Sequence, residues 1–306
     1  MNSFERSTTK LAFIGLGNMG SRVAARLLAA GFAVSVFDRD RSKRDKLKSK
    51  GAPPFETVAE LARSVHVALS CLTDDQAVRD IYYGPMGVLA NAKVGLVVLE
   101  MSTVLPATSR ELGHKASEVG VQVLDVAISG STPAAELGTL TLLAGGNPEV
   151  FHAALPIFQA IAGKYFHLGP SGAGTTMKLV VNAILGIGMQ AIAEATALGE
   201  KAGLSRGVLL QVLSQTSVIA PAHTGKLSRA VRGDYGPQFP IPLMNKDFRL
   251  ILQLAGDVHA VMPATSAAFQ INSDARDAYG EEDFSVVMKF MEQLSAEKPS
   301  GQSMSG

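Results

Sequence analysis

The chain has 306 residues, enough for two domains rather than a single core. With 47% hydrophobic and 18% charged residues it has the composition of an ordinary globular protein, and a formal net charge of +1 provides no general field for nucleic acid or an anionic membrane. One cysteine, Cys71, excludes an intrachain disulfide and suits a reducing, cytoplasmic setting.

Residues 1–9 lack the apolar stretch of a secretory signal and leave little room for a transit peptide. A short apolar run at 10–14 then meets Gly15-Leu16-Gly17-Asn18-Met19-Gly20, a G-x-G-x-x-G spacing, and a helical pattern follows to Gly31. Strand, glycine turn and helix in this order suit a dinucleotide pyrophosphate. Gly15 permits the tight turn, Gly17 leaves the phosphates unobstructed, and Gly20 lets the helix approach the strand. The helix N-terminus offers N–H groups and partial positive charge to the diphosphate. A second strand at 33–37 ends in Asp38, at the spacing where a carboxylate bonds ribose hydroxyls.

Strands are expected at 10–14, 33–37, 66–71, 95–99, 121–126 and 139–144, with helices near 20–30, 41–50, 56–63, 75–81 and 106–119. Such alternation implies a doubly wound α/β Rossmann domain with a mainly parallel sheet. The strands on either side of Gly138 are open to a different pairing from the first ones. The basic run from Arg39 to Lys50 reads as a solvated helix face, and Cys71 as a small core residue in a buried strand. The six histidines show no metal-ligand spacing, so no metal site is expected.

After Gly169-Pro170 strand signals nearly vanish. Helical patterns cover 173–202, 205–214, 223–231, 242–256, 262–277 and 284–293. The expected division is therefore a dinucleotide-binding domain over 1–169 and an all-α substrate and oligomerisation domain over 170–306, with a Ser/Gly/Pro-rich disordered tail at about 297–306. No apolar run reaches the length of a membrane span without interruption. The nearest, 177–198, is broken by Lys178, Asn182, Gln190 and Glu194.

Three further stretches carry chemistry. Ser102-Thr103 follows the fourth strand; either residue is able to cap the next helix, and Pro106 suits its first turn. Ser129-Gly130-Ser131 follows the fifth strand and reads either as a polar loop or as a cluster of N–H and O–H donors for an anion. Lys178 and Asn182 are i and i+4 on an otherwise apolar helix. Lys178 either snorkels to water or is partly buried, in which case its pKa falls from about 10.4 towards about 7–8, a range fit for proton transfer.

These elements together resemble the β-hydroxyacid dehydrogenase family, of the 3-hydroxyisobutyrate dehydrogenase-like kind. The glycine stretch, Ser102-Thr103-x-x-Pro106, Asp125 to Gly130 with Gly138-Thr139-Leu140, Gly172-x-Gly174-x-x-x-Lys178-x-x-x-Asn182 and Lys246-Asp247 match its motifs in order, over about residues 10–290. The resemblance implies an oxidoreductase that moves a hydride between NAD(P) and a small hydroxy acid, or its semialdehyde or keto acid. Lys178 would be the general acid/base, and Ser129 and Gly130 would hold the substrate carboxylate with Asn182 beside them. Leu72, Thr73, Thr103 and Lys246 would line the cofactor site. The chain departs from the family at Ala127 and Ser131, where the pattern has Pro and Gly, which bears on substrate identity. Asp38 favours NAD, while Arg39 beside it is able to accept the phosphate of NADP; the balance goes to NAD.

The glycine stretch and the helix beginning near residue 173 are expected to form the two halves of a cleft. That helix's length and apolar content also point to a homodimer or homotetramer. An imine reductase of similar fold and a non-catalytic dinucleotide-binding module are the alternatives; Lys178 argues against the first, and Lys178 with Asn182 against the second.

Overall fold

The computed structural model describes residues 2–296, so the tail expected to be disordered lies outside the described residues. The chain divides into two compact units, Met1–Leu179 and Val180–Gly306. The division falls inside one continuous helix, Ala173–Lys201.

The first unit is built on a seven-stranded sheet: β1 (Lys10–Ile14), β2 (Ala33–Phe37), β3 (Val67–Ser70), β4 (Val97–Glu100), β5 (Gln122–Ser129), β6 (Leu140–Gly146) and β7 (Ala162–His167). Their order is β2-β1-β3-β4-β5-β6-β7. The first five run parallel, β6 is antiparallel to β5, and β7 is parallel to β6. The central strands are apolar on both sides because both faces are covered. Leu11, Phe13, Val67, Leu69, Val97 and Leu99 pack with Val23, Ala24 and Leu27 of the helix Gly20–Ala29. Ala12, Ile14, Ala68 and Val98 pack on the other face with Leu61, Leu112 and Ala116. A strand buried on one face only would alternate apolar with polar residues.

The chain reverses direction across the sheet between β2 and β3, with β1 in the middle. The C-terminal edge beside β1 is therefore the topological switch point, where open α/β sheets bind ligands.

Several local expectations change. β7 was not expected; it is a half-exposed edge strand whose Gly163 and Lys164 break the apolar pattern of the central strands. Short helices Thr132–Leu137, Pro148–Ala153 and Leu155–Ile161 also emerge, the first closed by Gly138 in the left-handed conformation. Cys71 lies one residue beyond β3 and is half-buried rather than core. Within the basic run, Arg44 is buried and bonds the Phe55 carbonyl and Glu56, while the remaining charges are solvated as expected.

The second unit is helical: Arg206–Gln215, Pro221–Ala230, Ile241–Asp257, Pro263–Tyr279 and Val287–Ala296 follow the long helix. Gly186 allows close packing, since a Cβ there would lie 2.3 Å from the Phe248 ring. A buried ion pair, Lys226 Nζ to Asp283 Oδ2 at 2.6 Å, closes the unit, and Asp283 also accepts from the Phe239 and Ser285 N–H groups. The helix Ala173–Lys201 is long and apolar enough to cross a membrane by length and composition, but half of its most apolar window is buried inside the protein. Its buried face carries Asn182 and Gln190, the pattern of a core helix.

Candidate dinucleotide and substrate site

The three glycines after β1 have three different surroundings. Gly15 has φ +89°, and a Cβ on it would stand 2.3 Å from the Cys71 carbonyl oxygen. A Cβ on Gly20 would stand 2.0 Å from the Gly15 oxygen, so the helix start sits directly on the loop. Gly17 has nothing within 4 Å of its Cβ position; it leaves an open cradle rather than avoiding a clash. The helix Gly20–Ala29 has no side-chain cap at its N-terminus. An open glycine surface at an uncapped helix start fits a diphosphate.

Asp38, just beyond β2 and 9% exposed, accepts the Leu16 N–H at 2.7 Å and the Asp40 N–H at 2.8 Å. It thus holds the glycine loop as well as facing the switch point. Each carboxylate oxygen keeps a second lone pair for a ribose hydroxyl. The Arg39 side chain is exposed.

The loops after β3 and β4 are tied together. The Leu72 N–H donates to Ser102 Oγ at 2.7 Å. The Ser102 hydroxyl in turn donates to Glu100 Oε1 in a short bond, and its N–H reaches the same oxygen at 2.9 Å. Ser102 is therefore not a helix cap. The helix Pro106–Glu118 is entered through Leu105, with Pro106 at its first position and no side-chain cap. Thr103, half-buried, follows Ser102. Thr73 donates to Asp74, whose carboxylate caps the helix Asp75–Tyr82. Burial pushes the Glu100 carboxyl up to about 7, opposed by the bonds from Ser102 and reinforced by nearby Asp125.

At β5 the buried Asp125 accepts the Gly172 N–H at 2.8 Å and the Thr175 N–H at 2.9 Å. Burial raises its pKa and these donors pull it back. A Cβ on Gly174 would lie 2.3 Å from the Leu143 carbonyl, so the first turn of the long helix rests on the sheet backbone. Lys178, one turn further along, is half-buried. Ser129 ends β5, and Gly130 has φ +145°, a conformation a side chain would resist. The hydroxyls of Ser129 and Ser131 make no hydrogen bond to another group among the described residues. Ser131 sits at the N-cap position of the Thr132–Leu137 helix without bonding it. Ala127 is fully buried.

In the helical unit Asn182 is 1% exposed and donates Nδ2–H to Asp247 Oδ2 at 2.6 Å. Its Oδ1 has no partner. Lys246 Nζ lies 3.0 Å from Asp247 Oδ1. The glycine stretch, Asp38, Leu72, Thr73, Thr103 and Ser129 to Ser131 thus gather at the C-terminal edge of one parallel sheet, and Asp125 seats the helix that carries Lys178. Asn182 and Lys246 meet around Asp247. Sequence reasoning gave no role to Glu100 or Asp247. A lone acidic residue ending the apolar run Val97-Val98-Leu99 was the available signal for the first. For the second, the matched Lys246-Asp247 pair was the signal, and the tertiary bond from Asn182 shows what it holds.

A glycine cradle at the switch point of a doubly wound sheet, followed by a helical unit, defines the class of dinucleotide-dependent oxidoreductases. Comparisons with known proteins agree. Residues 10–169 match the NAD binding domain of 6-phosphogluconate dehydrogenase, and residues 172–291 match the NAD-binding domain of NADP-dependent 3-hydroxyisobutyrate dehydrogenase. The glyoxylate/succinic semialdehyde reductase 1 of Arabidopsis thaliana is 36% identical over 92% of this chain and 97% of its own length. The NAD-dependent L-serine dehydrogenase of Pseudomonas aeruginosa is 35% identical over 92% and 98%. Among solved structures, Mycobacterium tuberculosis 3-hydroxyisobutyrate dehydrogenase with L-serine is 30% identical and superposes with a TM-score of 0.84 over 92% of this chain and 99% of that one. The chain belongs to the β-hydroxyacid dehydrogenase family.

Proposed function

We propose that this protein oxidises a small hydroxy acid, or reduces the corresponding semialdehyde or keto acid, with Lys178 as general acid/base. The observation that carries the reading is the seating of the Lys178 helix by Asp125. One strand, β5, supplies both that anchor and, at its end, the open donors of Ser129 to Ser131. The dinucleotide, when bound, supplies the hydride acceptor or donor. The residues of the chain do the rest. Gly15 to Gly20 receive the diphosphate, with Leu72, Thr73 and Thr103 on the neighbouring loops. Ser129, Gly130 and Ser131 hold the substrate carboxylate, which selects acids over simple alcohols and fixes the register of the reacting carbon. Lys178 takes the hydroxyl proton during oxidation and returns it during reduction. Asn182, its amide already committed to Asp247, supports the lysine from the next turn of the same helix. The lysine also favours hydroxy acid chemistry over the imine reductase alternative.

For the cofactor we favour NAD. Asp38 is buried and its carboxylate is bonded to the glycine loop, so a 2′-phosphate beside it would meet an acidic group, whereas a 2′-hydroxyl would find an acceptor. The single cysteine favours a cytoplasmic setting. The exposed apolar stripe Met177, Val180, Ile184 and Leu198 on the long helix favours a homodimer or homotetramer; light scattering that returns a monomer mass overturns this part.

The test is a screen of 3-hydroxyisobutyrate, serine, glycerate, threonate and 4-hydroxybutyrate with NAD and NADP, following absorbance of the reduced cofactor. Lys178→Ala is expected to lose about a thousandfold in kcat while keeping dinucleotide affinity. Full activity in that variant removes the lysine from the mechanism, and binding without turnover of any acid supports the non-catalytic module instead.

A further inference from the structure

The ends of β3 and β4 are joined by a chain of three groups that the reaction itself does not explain. The Leu72 N–H points at Ser102 Oγ, the Ser102 hydroxyl points at Glu100, and Glu100 is 2% exposed at the last position of β4. Ser102 has one proton, and Glu100 Oε1 takes it. That fixes the serine rotamer so that its lone pair faces Leu72, where a free hydroxyl would sample several directions. Ser102 itself is 1% exposed. Glu100 also accepts a longer bond from Ser70 Oγ at 3.4 Å, and Ser70 is bonded to the buried Tyr82 hydroxyl at 2.6 Å. Its second oxygen has no partner at all. A carboxylate in this position is a poor choice for packing: a buried charge with a half-empty hydrogen-bond shell costs stability. What its charge adds is a stronger acceptor at the one oxygen that takes both the N–H and the O–H of Ser102.

We propose that Glu100 is a positioning residue for dinucleotide binding: through Ser102 it holds the Leu72 backbone and locks the β3 and β4 loops, with Leu72, Thr73 and Thr103, into the conformation that receives the cofactor. The proposal rests on the reading of these loops as cofactor-facing. The hold depends on the charge of Glu100, because an ionised oxygen is the stronger acceptor. The groups around it are Ser70 from β3, Tyr82 from the helix Asp75–Tyr82, Ser102 from its own loop, and Asp125, its register partner on β5. Asp125 and burial both favour the protonated form, so Glu100 changes charge near neutrality, at about 7. As the pH falls through that value the acceptor weakens, the Leu72 loop loosens, and dinucleotide affinity drops.

The experiment titrates NADH and NADPH into the whole protein by nicotinamide fluorescence at pH 6 and pH 8, for wild type, Ser102→Ala, Glu100→Gln and the double variant. Circular dichroism checks that each is folded. Ser102→Ala is expected to raise the dissociation constant about tenfold at pH 8, the worth of one hydrogen bond. Glu100→Gln, which keeps the acceptor but not the charge, is expected to bind only a few times more weakly than wild type, with no change between the two pH values. The wild type is expected to bind more weakly at pH 6 than at pH 8. The double variant should bind no worse than Ser102→Ala, since both changes break one chain. Folded Ser102→Ala binding like wild type, additive losses in the double variant, or a Glu100→Gln that keeps the wild-type pH slope each overturn the proposal alone. A wild type that binds neither dinucleotide overturns the functional reading and this proposal with it.

Discussion

Strands β4 and β5 carry the same feature with opposite outcomes. Glu100 and Asp125 are register partners on adjacent parallel strands, and both carboxyls are buried. Asp125 is surrounded by N–H donors from Gly172 and Thr175, which fix the start of the helix bearing Lys178. Glu100 receives its bonds at one oxygen from its own loop and leaves the other empty. Burial is equal; the donor supply differs. A carboxylate with donors on both oxygens is a structural anchor, whereas one half-supplied retains a pKa near neutrality and remains responsive.

The largest expected effect tests the anchor. Asp125→Ala leaves the Gly172 and Thr175 N–H groups buried without acceptors and is expected to cost at least about 3 kcal/mol of unfolding free energy, with loss of turnover as Lys178 is unseated. Urea melts and the hydroxy acid assay read both. A loss of activity without a loss of stability would mean that Asp125 acts by contact with ligand rather than through the helix.

The next effect is pH-dependent. Because the folded Glu100 pKa is raised from 4.5 to about 7, its neutral form contributes stability that is complete below the unfolded pKa and is lost as the pH rises through about 7. Glu100→Gln should therefore match wild type near pH 4.5 and be more stable at pH 8 by up to about 3 kcal/mol. Equal melting temperatures at pH 8 would show that the buried charge carries no net penalty and erase the contrast with Asp125.

The smallest effect lies at the open end of β5. Ser129→Ala is expected to raise KM for the hydroxy acid about tenfold, with kcat nearly unchanged, because it removes one hydrogen bond to a charged group. An equal loss in kcat would place the serine in the transition state instead.

How much of this was legible depends on the kind of constraint. Gly15 and Gly20 read correctly because each answers a steric demand that only glycine meets, whereas a Cβ on Gly17 would meet nothing within 4 Å. The central strands β1, β3 and β4 read correctly because burial on both faces gives apolar runs, and the edge strand β2 because its Val34 and Val36 alternate with more exposed residues. β7 did not, because Gly163 and Lys164 break its apolar pattern. Ser102 looked like a cap and is a link to Leu72 instead, since hydroxyls near helix starts have several backbone partners within reach and tertiary structure chooses among them.

The sequence by itself determined the Rossmann architecture, the change to helices after residue 170, the glycine cradle, and the pairing of Lys178 with Asn182 on one helix face. All of these follow from local sterics or from the periods of helix and strand. Only the tertiary structure decided which polar groups share a bond. It joined Glu100 to Ser102 and Leu72, Asp125 to the start of the Lys178 helix, Asp38 to Leu16, and Asn182 to Asp247. These partners are 22 to 65 residues apart apart from Glu100 and Ser102, and a hydrogen bond depends on distance and direction in space, which no spacing along the chain encodes.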